Sequence, residues 1–215
     1  MGRSALLFFF LTASIGLVGL SDPLLAQERP DALVMYRNGQ YDQAVQTCLS
    51  ELQQMPKNMD SYSVLGWSLL KLGRYQDAVN YGTKALAVSR YDNRIVEILG
   101  EGYYFLGDNV NSLKYLQEYV ALAPNGDRID DVYYLMGEIF MRRAEYHRAD
   151  IALSTAVYYS PNISQWWARL GYARELAKNP RMALDAYDKA LTLSPNQVDA
   201  LRGKERVQAS LGGQE

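Results

Sequence analysis

Apolar residues recur along the chain with helical spacing, in short stretches separated by breaks. From Val64 to Leu72, and again from Ala78 to Leu86, they fall at i, i+3 and i+4, the spacing of one helix face. A short break, often with glycine, separates two such stretches, and proline or a polar turn ends the second. No segment alternates apolar and polar residues over the length of a strand. The pattern therefore predicts an all-α chain built from pairs of helices.

The helix pairs recur at a nearly fixed period. Gly66 and Gly100 are 34 residues apart, as are Gly137 and Gly171, whereas Gly100 and Gly137 are separated by 37 residues. A second series has the same steps and runs through Ala44, Ala78, Ser112, Ala149 and Ala183. Both series place a three-residue insertion between the third and fourth units, near residues 125–128. A period of this length is typical of stacked helical repeats.

The residues within each unit resemble the pattern of the tetratricopeptide repeat family. That pattern runs aromatic, Leu, Gly and aromatic in a first helix A, then Ala, aromatic and Ala in a helix B, then Pro. The fourth unit shows the match with Tyr133, Met136, Gly137, Phe140, Tyr146, Ala149, Leu153, Ala156 and Pro161. The first unit is a degenerate match, and Gly82 and Ser112 are departures within otherwise good units. The resemblance covers five units, at about 27–58, 59–92, 93–129, 130–163 and 164–197.

The resemblance implies a right-handed α-solenoid of helix-turn-helix repeats, with the A helices on its concave face. It also explains glycines in the interior of predicted helices, where glycine costs about 1 kcal/mol relative to alanine. We expect Gly66, Gly100, Gly137 and Gly171 to lie where helix A meets helix B most closely.

Residues 1–26 have the anatomy of a leader. Arg3 supplies a positive charge, and an uncharged run of 16 residues from Ala5 to Leu20 precedes small residues. A cleaved secretory signal is predicted, because the run is shorter than the ~20 apolar residues of a membrane span. An uncleaved membrane anchor is the alternative. The leader predicts an exported protein, periplasmic in a bacterium, or one anchored by its N-terminal segment.

Residues 198–215 are predicted to form a capping helix followed by a frayed tail. Its apolar positions, which we expect to face inward, are Val198, Leu201, Val207 and Leu211. Charged residues dilute them, and stacked repeats need an end that is apolar inward and polar outward.

Composition and motifs exclude several classes of function. The formal net charge is -2 with no long basic stripe, so nothing favours nucleic acid. Cys48 is the single cysteine and is expected to be buried; His147 is the single histidine and is expected on the surface. No metal-ligand cluster, nucleophile elbow or phosphate-binding loop occurs, so no catalytic residue, metal or cofactor is predicted. Of the pair Trp166-Trp167, only Trp166 is expected to be exposed, because Trp167 takes the family's core aromatic position.

The resemblance places particular A-helix positions on the concave face. The candidate partner-binding groove consists of Trp67, Glu97, Glu101, Tyr104, Tyr134, Glu138, Met141, Arg169 and Tyr172. Glu97 and Glu101 share a helix face and repel each other unless a positive group lies opposite. One subtype of the family clamps a C-terminal carboxylate with Lys, Asn and Arg at such positions, and these two acidic residues argue against that ligand. Alternatively, the carboxylates only solvate an open face or pair with Arg94 and Arg142.

Two functions fit these features. The first is a non-catalytic protein-protein interaction scaffold outside the cytoplasm, in the assembly of an envelope, secretion or motility complex. Its groove would take an apolar or aromatic segment that carries Lys or Arg, because exposed aromatic patches usually mark interaction sites. The alternative is a periplasmic module that binds a glycan or another small ligand. A membrane enters only through an uncleaved N-terminal segment, and the sequence leaves the oligomeric state open.

Overall fold

The computed structural model describes residues 31–212, and this part of the chain contains eleven helices and no strand. They are α1 (Ala32–Arg37), α2 (Tyr41–Gln54), α3 (Met59–Lys71), α4 (Tyr75–Val88), α5 (Asn93–Phe105), α6 (Asn109–Leu122), α7 (Ile129–Arg142), α8 (Tyr146–Tyr159), α9 (Ser164–Leu176), α10 (Pro180–Leu193) and α11 (Val198–Gly212). Each helix packs on the one before it. The predicted all-α solenoid of helix pairs is confirmed, while the predicted leader, residues 1–26, lies outside the described residues.

The odd-numbered helices α1 to α9 are the A helices of the five units, and the even-numbered helices α2 to α10 are the B helices. Among residues 31–212, no helix is both long enough and apolar enough to cross a bilayer. Apolar side chains between successive helices form the core, which includes Leu65, Leu99, Leu116, Leu153 and Leu170, all with no exposed surface.

A three-residue turn joins helix A to helix B in every unit, and its middle residue has a left-handed backbone. Glycine fills this position in the first three units, at Gly39, Gly73 and Gly107, with φ of 76°, 71° and 79°. Ala144 and Lys178 fill it in the last two units, with φ of 56° and 63°. The glycines of the predicted breaks therefore have a steric reason, since a side chain is disfavoured at such φ values.

Replacing Lys178 with glycine is expected to stabilise the protein. A side chain at positive φ costs about 1–2 kcal/mol, and the greater freedom of glycine in the unfolded chain offsets part of the gain. The net gain should be about 0.5–1 kcal/mol in a urea unfolding experiment. The reverse change Gly107→Ala, at a turn with open space around the glycine, should lose a similar amount. Equal midpoints for all three proteins would show that the turn carries no backbone strain.

Three of the four interior glycines pack as predicted, against helix B of their own unit. A Cβ atom built on any of them would lie 2.6 Å from a side-chain atom of that helix, which is closer than real contacts allow. The pairs are Gly100 with Leu116, Gly137 with Leu153, and Gly171 with Tyr187. In the third unit, the Ser112 hydroxyl also donates to the Gly100 carbonyl at 2.7 Å, so the departure at this position adds a bond between α5 and α6.

Gly66 is different, and the prediction for it was wrong. A Cβ atom on Gly66 would meet Ile98 of α5 at 2.7 Å, in the next unit, and not its own helix B. The reason is Gly82, which stands in α4 where the other units have Leu116, Leu153 or Tyr187. Because Gly82 offers no side chain, residues of α5 fill the space, and Leu99 lies 2.9 Å from the position of a Cβ on Gly82.

Helix α11 packs on α9 and α10 with a face that only partly matches the prediction: Val207 and Leu211 pack inward as predicted, but Val198 and Leu201 do not. Ala200, Gly203 and Val207 are buried, whereas Val198 is 53% exposed and Leu201 is 42% exposed. Gly203 lies directly against the ring of Tyr187, and this close approach turns the Ala200, Gly203 and Val207 face inward. The prediction that Val198 and Leu201 face inward was therefore wrong.

The predicted insertion lies between α6 and α7. Six residues, 123–128, join these helices, whereas four residues join each of the other units to the next helix. Gly126 packs against Tyr119, and the Arg128 backbone N–H donates to the Tyr119 hydroxyl at 3.3 Å. The inserted segment is thus held on α6, and it fixes the position from which the Arg128 side chain extends.

Candidate functional site

Two cavities lie along the surface formed mainly by the A helices. The C-terminal cavity has a volume of about 650 Å³ and is lined by Tyr134, Glu138, Gln165, Ala168, Arg169, Tyr172, Glu175, Leu176, Tyr187, Asp199, Arg202 and Arg206. The N-terminal pocket has a volume of about 300 Å³ and is lined by Leu33, Tyr36, Arg37, Trp67, Leu70, Lys71, Glu101, Asp127 and Arg128. Both have aromatic rings beside charged side chains.

The predicted groove residues divide between these cavities and the protein interior. The C-terminal cavity takes Tyr134, Glu138, Arg169 and Tyr172, and the N-terminal pocket takes Trp67 and Glu101. The other three line neither: Glu97 is 3% exposed, Met141 is 8% exposed and Tyr104 is 9% exposed. A partner in the cavities would therefore meet six of the nine predicted residues directly.

The acidic centre of the groove is paired with an arginine from the inserted segment. The Arg128 guanidinium lies 3.2 Å from a carboxylate oxygen of Glu97, 3.2 Å from one of Glu101 and 2.8 Å from one of Asp131. The two predicted alternative partners are engaged elsewhere: Arg94 pairs with Asp60 and Asp92, and Arg142 lies over the ring of Tyr104. Three carboxylates thus share one guanidinium that sequence reasoning did not place here.

Glu97 is the buried member of this group. Its carboxylate accepts a hydrogen bond from the indole N–H of Trp67 at 3.1 Å, which joins α3 to α5. The pKa of Glu97 is raised to about 7, mainly because the carboxyl is buried; the Arg128 guanidinium lowers this pKa and the nearby Glu101 carboxyl raises it. The charged form of Glu97 therefore depends on Arg128.

Two arginine–glutamate pairs enclose Tyr172 in the C-terminal cavity. Arg169 binds both oxygens of Glu138 at 2.5 and 2.9 Å, and Arg206 binds both oxygens of Glu175 at 2.9 and 2.8 Å. The two guanidinium groups lie 5.6 and 5.8 Å from the centre of the Tyr172 ring. Bidentate pairs of this kind have a defined geometry, so they hold the charged side chains on both sides of the Tyr172 ring in place.

Of the two adjacent tryptophans, Trp166 was predicted to be exposed, and this prediction was wrong; Trp167 packs against the core. Trp166 is buried and stacks on Tyr134, with ring centres 4.8 Å apart and planes inclined by 12°. Trp167 is half-buried, and its indole N–H donates to the Pro161 carbonyl at 2.7 Å. The ring of Tyr134 on α7 offers a flat partner that Trp166 covers, which the repeat pattern alone does not show.

The residues that sequence reasoning missed come from outside the regular A-helix positions. Arg128 lies in the insertion, and Arg202 and Arg206 lie in α11, beyond the fifth unit. The signal for Arg128 was present, because the insertion is the one break in the period and carries a basic residue next to the acidic third unit. Tyr36 was also missed, because the first unit matches the repeat pattern poorly. Its ring centre lies 6.0 Å from that of Trp67.

The single cysteine and the single histidine lie in different helices, α2 and α8. Cys48 is buried, as predicted, and burial raises the pKa of its thiol to about 12. His147 is exposed at the start of α8, also as predicted. Residues 31–212 contain no group of three His, Cys, Asp or Glu side chains that could hold a metal ion.

Comparisons with known sequences agree with this architecture. Residues 63–127 and 134–198 match a family model described as tetratricopeptide repeat, and residues 25–85 match one described as anaphase-promoting complex, cyclosome, subunit 3. An N-terminal acetyltransferase A complex subunit-like protein of Schizosaccharomyces pombe is 30% identical over 105 residues, which are 48% of this chain and 15% of that protein. Tetratricopeptide repeat protein 16 of Homo sapiens is 24% identical over 180 residues, covering 76% of this chain and 21% of that protein. The chain thus spans about a fifth or less of these relatives.

Solved structures with the same fold share little sequence with this chain. A crystal structure of MamA superposes with a TM-score of 0.67 at 20% identity, covering 78% of this chain and 96% of that one. YrrB, described as a TPR protein with an unusual peptide-binding site, gives a TM-score of 0.67 at 20% identity over 81% of this chain and 88% of that one. A chain of the APC/C hetero-tetramer Cut9-Hcn1 superposes with a TM-score of 0.70 at 20% identity, covering 82% of this chain and 34% of that one. These likenesses show the fold.

Proposed function

The chain belongs to the tetratricopeptide repeat family, and we propose that it is a non-catalytic protein-interaction scaffold. The observation that carries the proposal is the C-terminal cavity, whose volume of about 650 Å³ lies in the range of ligand sites. Its tyrosine rings lie among charged side chains, and two bidentate ion pairs flank the ring of Tyr172. The peptide-binding site named for YrrB is consistent with such a role.

The ion pairs bear on the chemistry of the proposed partner. The partner was predicted to be an apolar or aromatic segment that carries Lys or Arg, because the groove has an acidic centre. Arg128 and Arg169 already pair with Glu97, Glu101 and Glu138, which leaves less reason for basic residues in the segment. We therefore assign the main contact to an apolar or aromatic side chain of the partner, which would pack on Tyr172 in the C-terminal cavity. The ion pairs would form the polar rim around that contact, as in other protein interfaces.

The proposed location is outside the cytoplasm, in the assembly of an envelope, secretion or motility complex. The support is the sequence of residues 1–26, with Arg3 followed by the uncharged run from Ala5 to Leu20. Mass spectrometry of the protein purified from its native cells tests this. A mature chain that has lost about its first 26 residues supports export with cleavage, whereas an intact leader in a membrane fraction supports anchoring. A full-length chain in the cytosol would contradict both.

Tyr172→Ala is expected to weaken partner binding at least roughly tenfold, because buried aromatic anchors typically contribute 2 kcal/mol or more. The measurement is a quantitative pull-down from envelope extract with the tagged protein, compared across variants at equal protein concentration. The matched control is Tyr158→Ala, at a tyrosine that is 78% exposed and lines neither cavity. A partner that is retained by Tyr172→Ala and lost by Tyr158→Ala would place the binding surface elsewhere.

A small ligand is the second candidate for the C-terminal cavity. Tyr172 and Tyr134 offer ring surfaces next to ion pairs, and aromatic rings with polar neighbours also suit sugars. A thermal shift on addition of envelope oligosaccharides, abolished in Tyr172→Ala, together with no protein partner in the pull-down, would favour this function over the scaffold.

A further inference from the structure

A third cavity lies at the edge of the solenoid where the turns of the fourth and fifth units come together. This edge cleft has a volume of about 350 Å³ and is lined by residues 144–148 and 176–178. It shares only Leu176 with the C-terminal cavity. Ala144, Tyr146, Leu176 and Ala177 give it an apolar lining, so it can hold an apolar side chain.

Positive charge dominates the surroundings of the edge cleft. Arg148 and Lys178 line it, and Arg143 and Arg181 lie in the same turns and helix starts. Glu145 is the one carboxylate among the lining residues, and both Arg143, at 2.6 Å, and Arg148 already bind it. In the part of the chain that the structure describes, Lys178 and Arg181 form no ion pair. Within residues 31–212, positive charge therefore exceeds negative charge among the side chains that line the edge cleft.

Two helices also begin at this edge. Helix α8 starts at Tyr146 and α10 starts at Pro180, which itself has no N–H; no side chain caps the remaining N–H groups in the first turn of either helix. The N-cap residue of α8 is Glu145. Its carboxylate pairs with Arg143 and Arg148 and does not cap the helix. Free N–H groups at helix starts favour negatively charged ligands, and here they add to the side-chain charge.

We propose that the edge cleft docks an acidic segment of a partner protein, separately from the C-terminal cavity. An apolar side chain of the segment enters between Tyr146 and Leu176, and flanking carboxylates lie against Lys178, Arg181 and the start of α10. A protein segment is favoured over an anionic bilayer because the apolar surface is concave, and the flat face of a bilayer cannot fill a cleft. The scaffold would then hold two partners at once, on two faces.

The test is an NMR titration of the full chain with a blocked acidic peptide, Asp-Asp-Leu-Glu-Asp, up to millimolar concentration. The expected result is a set of amide shifts confined to residues 144–148 and 176–181. Replacing the peptide leucine with serine should weaken binding, because the apolar contact is lost. Lys178→Glu with Arg181→Glu should weaken binding roughly tenfold. The control Lys57→Glu with Lys189→Glu makes the same change in net charge at other exposed sites and should bind as the wild type does.

Several results would overturn the proposal. They are shifts that map to the C-terminal cavity instead, equal loss of binding in both charge-reversed proteins, and no shift at all at millimolar peptide. Binding to vesicles of anionic lipid that depends on Lys178 and Arg181, without binding of the peptide, would also overturn it in favour of a membrane surface. A melting curve for each variant tests whether the fold is retained. Loss or absence of binding at the edge cleft leaves the proposed role of the C-terminal cavity unchanged.

Discussion

Gly100→Leu is expected to destabilise the protein by about 3 kcal/mol or more, through overpacking between α5 and α6. The first side-chain atom alone would lie 2.6 Å from Leu116 Cδ2 and 3.3 Å from the Leu116 backbone nitrogen. The Leu116 side chain has no exposed surface and cannot turn outward, and the backbone nitrogen is fixed within α6. The two helices must therefore separate. Urea unfolding followed by circular dichroism measures the loss.

The control for this change is Gly212→Leu, at the last residue of α11, where nothing lies within 4 Å of a built Cβ atom. It introduces the same side chain without the contact and should leave the unfolding midpoint within about 0.5 kcal/mol of wild type. The loss of stability in Gly100→Ala should lie between those of Gly100→Leu and Gly212→Leu, since alanine adds only the first clashing atom. A Gly100→Leu protein that unfolds like the Gly212→Leu protein would show that α5 and α6 are not in close contact here.

Arg128→Gln is expected to destabilise the protein by about 2–3 kcal/mol at pH 8 and by much less at pH 4. Glu97 has a folded pKa of about 7, above its ordinary value of 4.5, because of burial. A raised carboxyl pKa means that protonation favours the folded state. The stability gained from protonated Glu97 is therefore fully present below pH 4.5 and is lost as the pH rises through 7. Without Arg128, the folded pKa rises further and the loss at high pH grows.

The measurement is the free energy of unfolding of wild type and variant between pH 4 and pH 8. The destabilisation by Arg128→Gln is expected to differ between pH 4 and pH 8. Adding Glu97→Gln should remove most of that pH dependence, because residue 97 no longer ionises. The matched control is Arg143→Gln, whose partner Glu145 lies at the surface edge and whose loss should cost less than about 1 kcal/mol at any pH. A pH-independent loss in Arg128→Gln would contradict the account of Glu97.

The repeating part of the fold could be predicted because it depends on local and nearest-neighbour rules. Helical spacing gives the helices, and small residues at fixed positions such as Gly137 and Gly171 mark close helix pairs. The insertion was visible as a change of period. Each of these signals needs only residues within one unit or the next.

What could not be predicted depends on where one element meets another outside the repeat pattern. Gly66 packs on Ile98 because a different residue, Gly82, leaves a space in its own unit. Arg128 reaches Glu97, 31 residues earlier, from an irregular segment whose direction the sequence does not specify. The face of α11 follows from the contact of Gly203 with Tyr187, which lies in another helix. The C-terminal cavity depends on that last placement, so the candidate site was only partly predictable.

We expect each helix pair to be stable only when it is stacked on its neighbours. This dependence can be measured by circular dichroism of a peptide that spans α5 and α6, residues 93–122, compared with the full chain. We predict a largely unfolded peptide at 25 °C and a full chain that is helical and unfolds cooperatively. A peptide that is helical and melts cooperatively on its own would contradict the claim.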